Sequence, residues 1–359
     1  MNDVNEPSAW MHRLEELGVA VRHRLIAARD GGEDMATAVA QEGGDTIFAI
    51  DRHVEPVIEE HIAAWPAACR PLVLVAEGMG ESGRREFDAK PQANQGAGYR
   101  LIVDPIDGTR NIMYDKRSAW FIAAVAEDRG EATSVADALA SVIVELPTSK
   151  AGWADAFVAV RGQQARGYRE ETRGGAKPLP RLDPPILKSE IRNPKSEIPI
   201  GPSTAATLLN GFAQVSNFFP GTKVLASELM ERIVHATLGD VAPGSAAVFD
   251  DQYITTAGQM VELMIGHDRF CCDLRPLFYR ILEKQTGKAI RGLECHPYDL
   301  AGMLVAQRAG VILTDGLGGD LRPPMDVHTG VHWCGYANAA LRHAIEPVIR
   351  QFFAERGIH

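Results

Sequence analysis

One octapeptide constrains this chain more than any other stretch. The apolar run Tyr99 to Val103 ends abruptly in Asp104-Pro105-Ile106-Asp107-Gly108-Thr109-Arg110-Asn111. A short apolar run bounded by turn residues reads as a buried strand. Two carboxylates are therefore delivered to a strand's open end, where ligand sites gather in sheet proteins. Pro105 fixes the backbone and donates no N–H, and apolar Ile106 can offer a polar site only its carbonyl. Two carboxylates held close repel, by roughly 4 kcal/mol at about 4 Å with an effective dielectric near 20. A hard divalent cation reverses that sign, and Mg²⁺ prefers oxygen ligands. Gly108 permits a positive φ. Thr109 adds a hydroxyl and, if a helix starts there, free backbone N–H groups for a phosphate. Asp-Pro and Asp-Gly alone are ordinary turn dipeptides; the whole octet after an apolar strand points further.

The bulk chemistry narrows the classes. Lys plus Arg is 37 and Asp plus Glu is 47, a formal charge of -10. Such a surface does not attract nucleic acid non-specifically, and an anionic substrate has to be drawn in locally, for which bound cations suffice. The balance of 45% apolar and 23% charged residues is that of a globular protein. No apolar stretch reaches the ~20 residues of a membrane span, and the N-terminus has no basic start followed by an apolar run. Cys69, Cys271, Cys272, Cys295 and Cys334 form no disulfide framework and no CxxC pair. They read as buried thiols in a reducing cytoplasm, and the expected location is cytoplasmic.

Periodicity places the elements. Met11, Leu14, Gly18, Val21 and Leu25 predict a first helix, stopped at Asp30-Gly31-Gly32. A second helix is expected after Asp51, with Val54, Val57, Ile58 and Ile62 inward and Pro56 awkward within it. Leu72–Ala76, Tyr99–Val103, Trp120–Ala126 and Leu139–Glu145 read as strands, with a loop from Ala76 to Gly98. Later helices are expected over Leu225–Ala236, Ala246–Met264, Tyr298–Gly310 and Asn338–Phe353, with a strand at Val311–Thr314. Residues 161–202, dense in Pro, Lys and Ser, read as a surface insertion. It separates an N-terminal part, 1–160, from a C-terminal part, 203–359.

The octet closely resembles the DPIDGTxNF signature of the inositol monophosphatase family, within a group that includes fructose-1,6-bisphosphatases and bisphosphate nucleotidases; its final Phe is Ile112 here. Upstream, Gly44 to Asp51 is similar to the family's D-x-V-T-x-x-D, and Leu74-Val75-Ala76-Glu77-Gly78 resembles its G-E-E. The second Glu is Gly78, so a supporting carboxylate is missing or supplied by Glu81. Downstream, Pro297-Tyr298-Asp299-Leu300-Ala301-Gly302 resembles W-D-x-A-A-G, with Tyr298 for the Trp. Gly244-Ser245-Ala246-Ala247 resembles G-S-A-A.

The resemblance implies an α+β fold, a five-layered α/β/α/β/α sandwich, with the N-terminal part supplying Glu77, Asp104 and Asp107 and the C-terminal part Asp299. It implies that Glu77, Asp104 and the Ile106 carbonyl hold one Mg²⁺, that Asp104, Asp107 and Asp299 hold a second, and that Glu77 shares a third; Mn²⁺ is an alternative ion. Asp51 and Thr109 would activate water, with Glu77 as their catalytic neighbour. Gly108 and Thr109 would bind phosphate, and Gly244, Ser245 and Ala246 would line the substrate side. Asp268 and Asp273 are further candidates for substrate hydroxyls. Asp45 reads as structural and Arg110 as a surface residue. His296 has no His or Cys partner at zinc spacing, and His267, His328 and His332 read as loop residues. The implied activity is hydrolysis of a small phosphorylated metabolite, inositol monophosphate by default, by a homodimer. Fructose-1,6-bisphosphatase, 3′(2′),5′-bisphosphate nucleotidase and a catalytically silent metabolite-binding regulator are the rivals.

Overall fold

The computed structural model describes residues 6–42, 45–79, 82–87, 98–172 and 195–359. Met11, Leu14, Gly18, Val21 and Leu25 all lie on the buried stripe of α1 (Pro7–Asp30). A Cβ on Gly18 would meet Phe121 at 2.6 Å and Val144 at 2.7 Å, so glycine there lets the helix lie directly on the sheet. The hairpin β1 (Ala38–Glu42) and β2 (Asp45–Phe48) leads into α2 (Ala49–Ala64). That helix starts ahead of Asp51 and runs through Pro56, which sits on its exposed side, where the carbonyl left without an N–H is open to solvent.

The strands β3 (Leu72–Ala76), β4 (Arg84–Phe87) and β5 (Tyr99–Asp107) follow, then the short α3 (Thr109–Met113). Next come β6 (Ala119–Glu127), β7 (Ala140–Leu146), β8 (Trp153–Val160), β9 (Arg166–Glu171) and β10 (Lys195–Ile198). They form an eight-stranded sheet in the order β10-β9-β8-β7-β6-β5-β3-β4. Two expectations change here. The stretch expected as a loop after Ala76 contains β4, paired antiparallel to β3. The expected surface insertion contributes β9 and β10, which extend the sheet; residues 173–194 lie outside the described residues, as do Gly44 and Glu81 and the side chain of Asp45.

The C-terminal part opens with β11 (Gly211–Val215), α4 (Lys223–Leu238) and β12 (Val248–Phe249). The helix expected from Ala246 begins only at α5 (Thr256–Met264), because Thr255 supplies the cap, its hydroxyl accepting the Gly258 N–H. Then follow β13 (Asp268–Asp273), α6 (Arg275–Thr286), a single 3₁₀ turn at Tyr298–Leu300, α7 (Met303–Ala309), β14 (Ile312–Thr314), β15 (Trp333–Tyr336) and α8 (Ala339–Ala354). The helix expected over Tyr298–Gly310 is thus split. The second sheet has the order β12-β11-β13-β15-β14.

Strand alternation sorts the core. Leu101, Val103, Phe121 and Val144 face α1 and α2, whereas Ile102, Ile122 and Ile143 face α5 and α7. Beyond those helices lies the second sheet, and α4, α6 and α8 cover its far side. The result is the expected five-layered α/β/α/β/α sandwich. All five cysteines are buried and free. Among the described residues, no helix is long and apolar enough to cross a membrane.

Candidate active site

The end of β5 is bulged. Asp104 pairs with Ile122 and Asp107 with Trp120, so four residues of β5 span three of β6. In an unbroken strand residues three apart point to opposite faces; the extra residue brings both carboxylates to one side. Across the cleft the 3₁₀ turn supplies Asp299. Carboxylate oxygens of Asp104, Asp107 and Asp299 lie within 4.8 Å of one another.

Each of the three has an oxygen fixed by the protein's own donors. Ile106 N–H donates to Asp104 Oδ1 at 2.9 Å, and His296 N–H donates to Asp299 Oδ2 at 2.6 Å. Asp107 Oδ2 accepts from the Thr255 hydroxyl at 2.7 Å and Ala257 N–H at 2.6 Å, while Thr256 N–H approaches Oδ1 at 3.3 Å. Asp107 therefore ties the bulge to the N-terminus of α5. Gly108, at φ 92°, makes this contact possible: a Cβ there would stand 3.2 Å from Thr255 and 3.3 Å from the Ile254 carbonyl.

The remaining oxygens face an electrostatic conflict. Burial, then Glu77, Asp107 and Asp299, push the Asp104 carboxyl well above the usual range. Burial and Asp107 do the same to Asp299. Burial raises Asp107 to about 6 against the hydrogen bonds from Thr255, Ala257 and Thr256. An all-oxygen, mutually repelling donor set, with Asp104 and Asp107 buried and Asp299 partly so, fits a hard divalent cation.

These groups form the floor of a cavity of about 480 Å³, within the size range of metabolite sites. Asp51, Glu77, Ile106, Gly108 and Thr109 also line it. Asp51 Oδ2 accepts the Phe48 N–H at 2.9 Å, and the Thr109 hydroxyl donates to the Ile106 carbonyl at 2.9 Å. The Tyr298 hydroxyl is 3.4 Å from Glu77 Oε1. Arg110, though exposed as expected, belongs to the cavity rim and lies over Phe48. Glu55, one turn beyond Asp51, also lines the cavity; its Oε1 is 3.5 Å from where a Cβ on Gly78 would be. It brings a carboxylate beside Gly78, which stands where the resembled G-E-E pattern has its second Glu.

The structure separates other candidates from the cavity. Gly244, Ser245 and Ala246 sit on an exposed loop before β12 and are not among its lining residues. The expected substrate side is corrected accordingly: the helix start that meets Asp107 is Thr255–Ala257, for which the Thr pair before an apolar run was the available signal. Asp268 lies at the start of β13 and Asp273 at its end, neither lining the cavity, and both Asp273 oxygens bind Arg275. Sequence reasoning passed over Arg275, Phe218, Phe219 and Glu294, all of which line it; no local motif marks them.

Fold and site define a five-layered α/β/α/β/α sandwich with an acidic centre. Solved structures of this architecture include the extragenic suppressor protein suhB from Bartonella henselae (18% identity, 96% of this chain and 99% of that one, TM-score 0.58). Others are the fructose-1,6-bisphosphatase of Leishmania major in holo form (13%, 95% and 92%, TM-score 0.59) and an inositol monophosphatase from Anabaena (14%, 96% and 96%, TM-score 0.55). The chain has the fold of these inositol monophosphatase and fructose-1,6-bisphosphatase structures; at such identities the likeness is one of fold. No protein-family model and no curated protein sequence matches it.

Proposed function

We propose that the chain is a Mg²⁺-dependent hydrolase of a small phosphate monoester. The observation that carries this reading is the convergence of Asp104, Asp107 and Asp299 within 4.8 Å on the floor of a cavity. Asp104, Asp107 and Asp299, with Glu77 and the Ile106 carbonyl beside them, would hold two or three Mg²⁺ or Mn²⁺ ions. Such ions, when bound, neutralise phosphoryl oxygens and acidify water.

The chain's own residues do the rest. Gly108 and Thr109 present main-chain N–H groups at the start of α3 to the phosphate. Asp51, held by the Phe48 N–H, accepts a proton from the attacking water, with the Thr109 hydroxyl orienting that water. Glu77 steadies the same side of the floor. A Cys or His nucleophile is not required: the Cys271, Cys272 and Cys295 thiols are pushed up by burial, which disfavours the thiolate. The reading also makes the protein a cytoplasmic homodimer acting on a phosphorylated metabolite, as the sequence resemblance suggests. Inositol monophosphate is that resemblance's default substrate.

Phosphate release from inositol monophosphate, fructose 1,6-bisphosphate and adenosine bisphosphates, with Mg²⁺ and with EDTA, tests the reading. Release that stops with EDTA and returns with Mg²⁺ or Mn²⁺ is expected. Ligand binding by calorimetry with no release from any ester would point instead to the silent regulator.

A further inference from the structure

The cavity's other wall has a chemistry of its own. It is built around Arg275, whose side chain is nearly fully buried. Its Nε lies 2.9 Å from both oxygens of Asp273, Nη2 also binds Oδ2, and the Arg275 N–H adds a fourth contact at 3.1 Å. Nη1 donates to the Leu293 carbonyl at 3.0 Å. The guanidinium is thereby fixed on two sides, and its Cζ lies 5.3 Å from the ring centroids of both Phe218 and Phe219. The two rings stand edge to face at 6.1 Å. Both rings are half-buried and line the cavity, flanked by Leu293 and Val327.

This wall suits some leaving groups better than others. A saturated polyol offers hydroxyls that seek hydrogen-bond acceptors. Asp273, at the end of β13, does not line the cavity, and Arg275 occupies both of its oxygens. Among the described residues, Glu294 is the one carboxylate beside this wall; the surface that Phe218, Phe219, Leu293 and Val327 present is aromatic and aliphatic, which a ring fills with stacking and apolar burial.

We propose that Phe218 and Phe219, pinned by the Asp273–Arg275 pair, form a specificity wall selecting phosphate monoesters whose alcohol carries a planar aromatic ring over saturated polyol phosphates. This rests on the phosphatase reading above. Phe218 and Phe219 would contact substrate; Asp273 and Arg275 are positioning residues.

The test compares three alkyl phosphates of similar intrinsic reactivity: phenethyl phosphate, adenosine 3′-monophosphate and inositol monophosphate. With Mg²⁺, the ring-bearing esters are expected to exceed inositol monophosphate about tenfold or more in kcat/KM, the scale of one stacked ring. Adenosine ahead of phenethyl phosphate identifies a nucleoside as the alcohol; the reverse identifies the ring alone. The double variant Phe218→Ala/Phe219→Ala should shrink that ratio about tenfold, chiefly through KM, and Phe219→Leu should show the same trend while keeping apolar volume. Inositol monophosphate preferred by the wild type, or a double variant that lowers all three substrates equally, would overturn the wall. A fall in kcat/KM for inositol monophosphate alone in Glu294→Gln would do the same, since it would make that carboxylate a polyol acceptor. If no ester is cleaved with Mg²⁺ or Mn²⁺, the phosphatase reading fails. Calorimetry of phenethyl against inositol monophosphate binding then decides the wall alone: a retained ring preference upholds it, equal binding refutes it.

Discussion

The two ends of the cavity are made in opposite ways. Its floor draws Asp104 and Asp107 from one bulged strand end, with Asp299 added by a single turn. Its wall draws Phe218, Phe219, Arg275 and Leu293 from three separate segments, joined by an ion pair and ring contacts. The floor is electrostatically unfavourable until a cation arrives; the wall is already satisfied by its own hydrogen bonds. Chemistry common to many substrates sits in a short motif. Choice among substrates sits in residues that meet only through folding.

The sharpest way to separate the two ends is Asp104→Asn. It removes a charge from the floor and should lower turnover by about 10³-fold or more, the several kcal/mol that metal-assisted charge stabilisation supplies. Calorimetry should show weakened Mg²⁺ binding with an unchanged circular dichroism spectrum; full activity in this variant would remove the floor from the mechanism.

Asp273→Ala attacks the wall instead. Taking one partner from a buried ion pair leaves Arg275 uncompensated and should cost ~3–5 kcal/mol in urea denaturation. Cation binding at the floor should survive while folded protein remains. If Mg²⁺ affinity falls in step with stability, the two ends are one cooperative unit.

A third change probes neither end and serves as the reference. Burial, then Glu262 and Asp251, raise Asp268 to about 7, with His267 and Arg117 opposing. A carboxyl raised on folding favours the fold when protonated, so its benefit is complete below about pH 4 and lost as pH rises through about 7. Asp268→Asn should therefore stabilise the protein above pH 7 by up to ~4 kcal/mol and by little near pH 4. Thermal melts across that range check the sign.

The smallest effect concerns the joint between the sheet end and α5. Thr255→Val removes both the hydroxyl that donates to Asp107 and the α5 cap, a loss of about 1–2 kcal/mol. A melt shift that vanishes on adding Mg²⁺ would show that the cation, not the hydroxyl, holds Asp107.

Much of this molecule was legible in the chain. The stripe on α1 and the closing helix follow from residue spacing, because each buries one face, and the strands around Leu72, Tyr99 and Trp120 follow from short continuous apolar runs, because both their faces are covered. The stretch from Ala246 to Met264 was less legible: apolar content suggested one helix, but the Thr255 cap delayed its start. Gly244, Ser245 and Ala246 are expected on the substrate side from the resemblance of residues 244–247 to G-S-A-A, and a motif likeness says nothing of which helix start meets the site.

By itself the sequence determined two members of the acidic floor, Asp104 and Asp107: an apolar strand ending in paired aspartates has few uses, and a glycine after them permits one backbone turn; Asp299 followed only from the resemblance. Only the tertiary structure decided how those aspartates point, because a one-residue bulge reverses the face of everything beyond it. It alone decided that Asp273 is occupied by Arg275 and that two phenylalanines look into the cavity. Such pairings depend on contacts between residues far apart in the chain, and no periodicity records them.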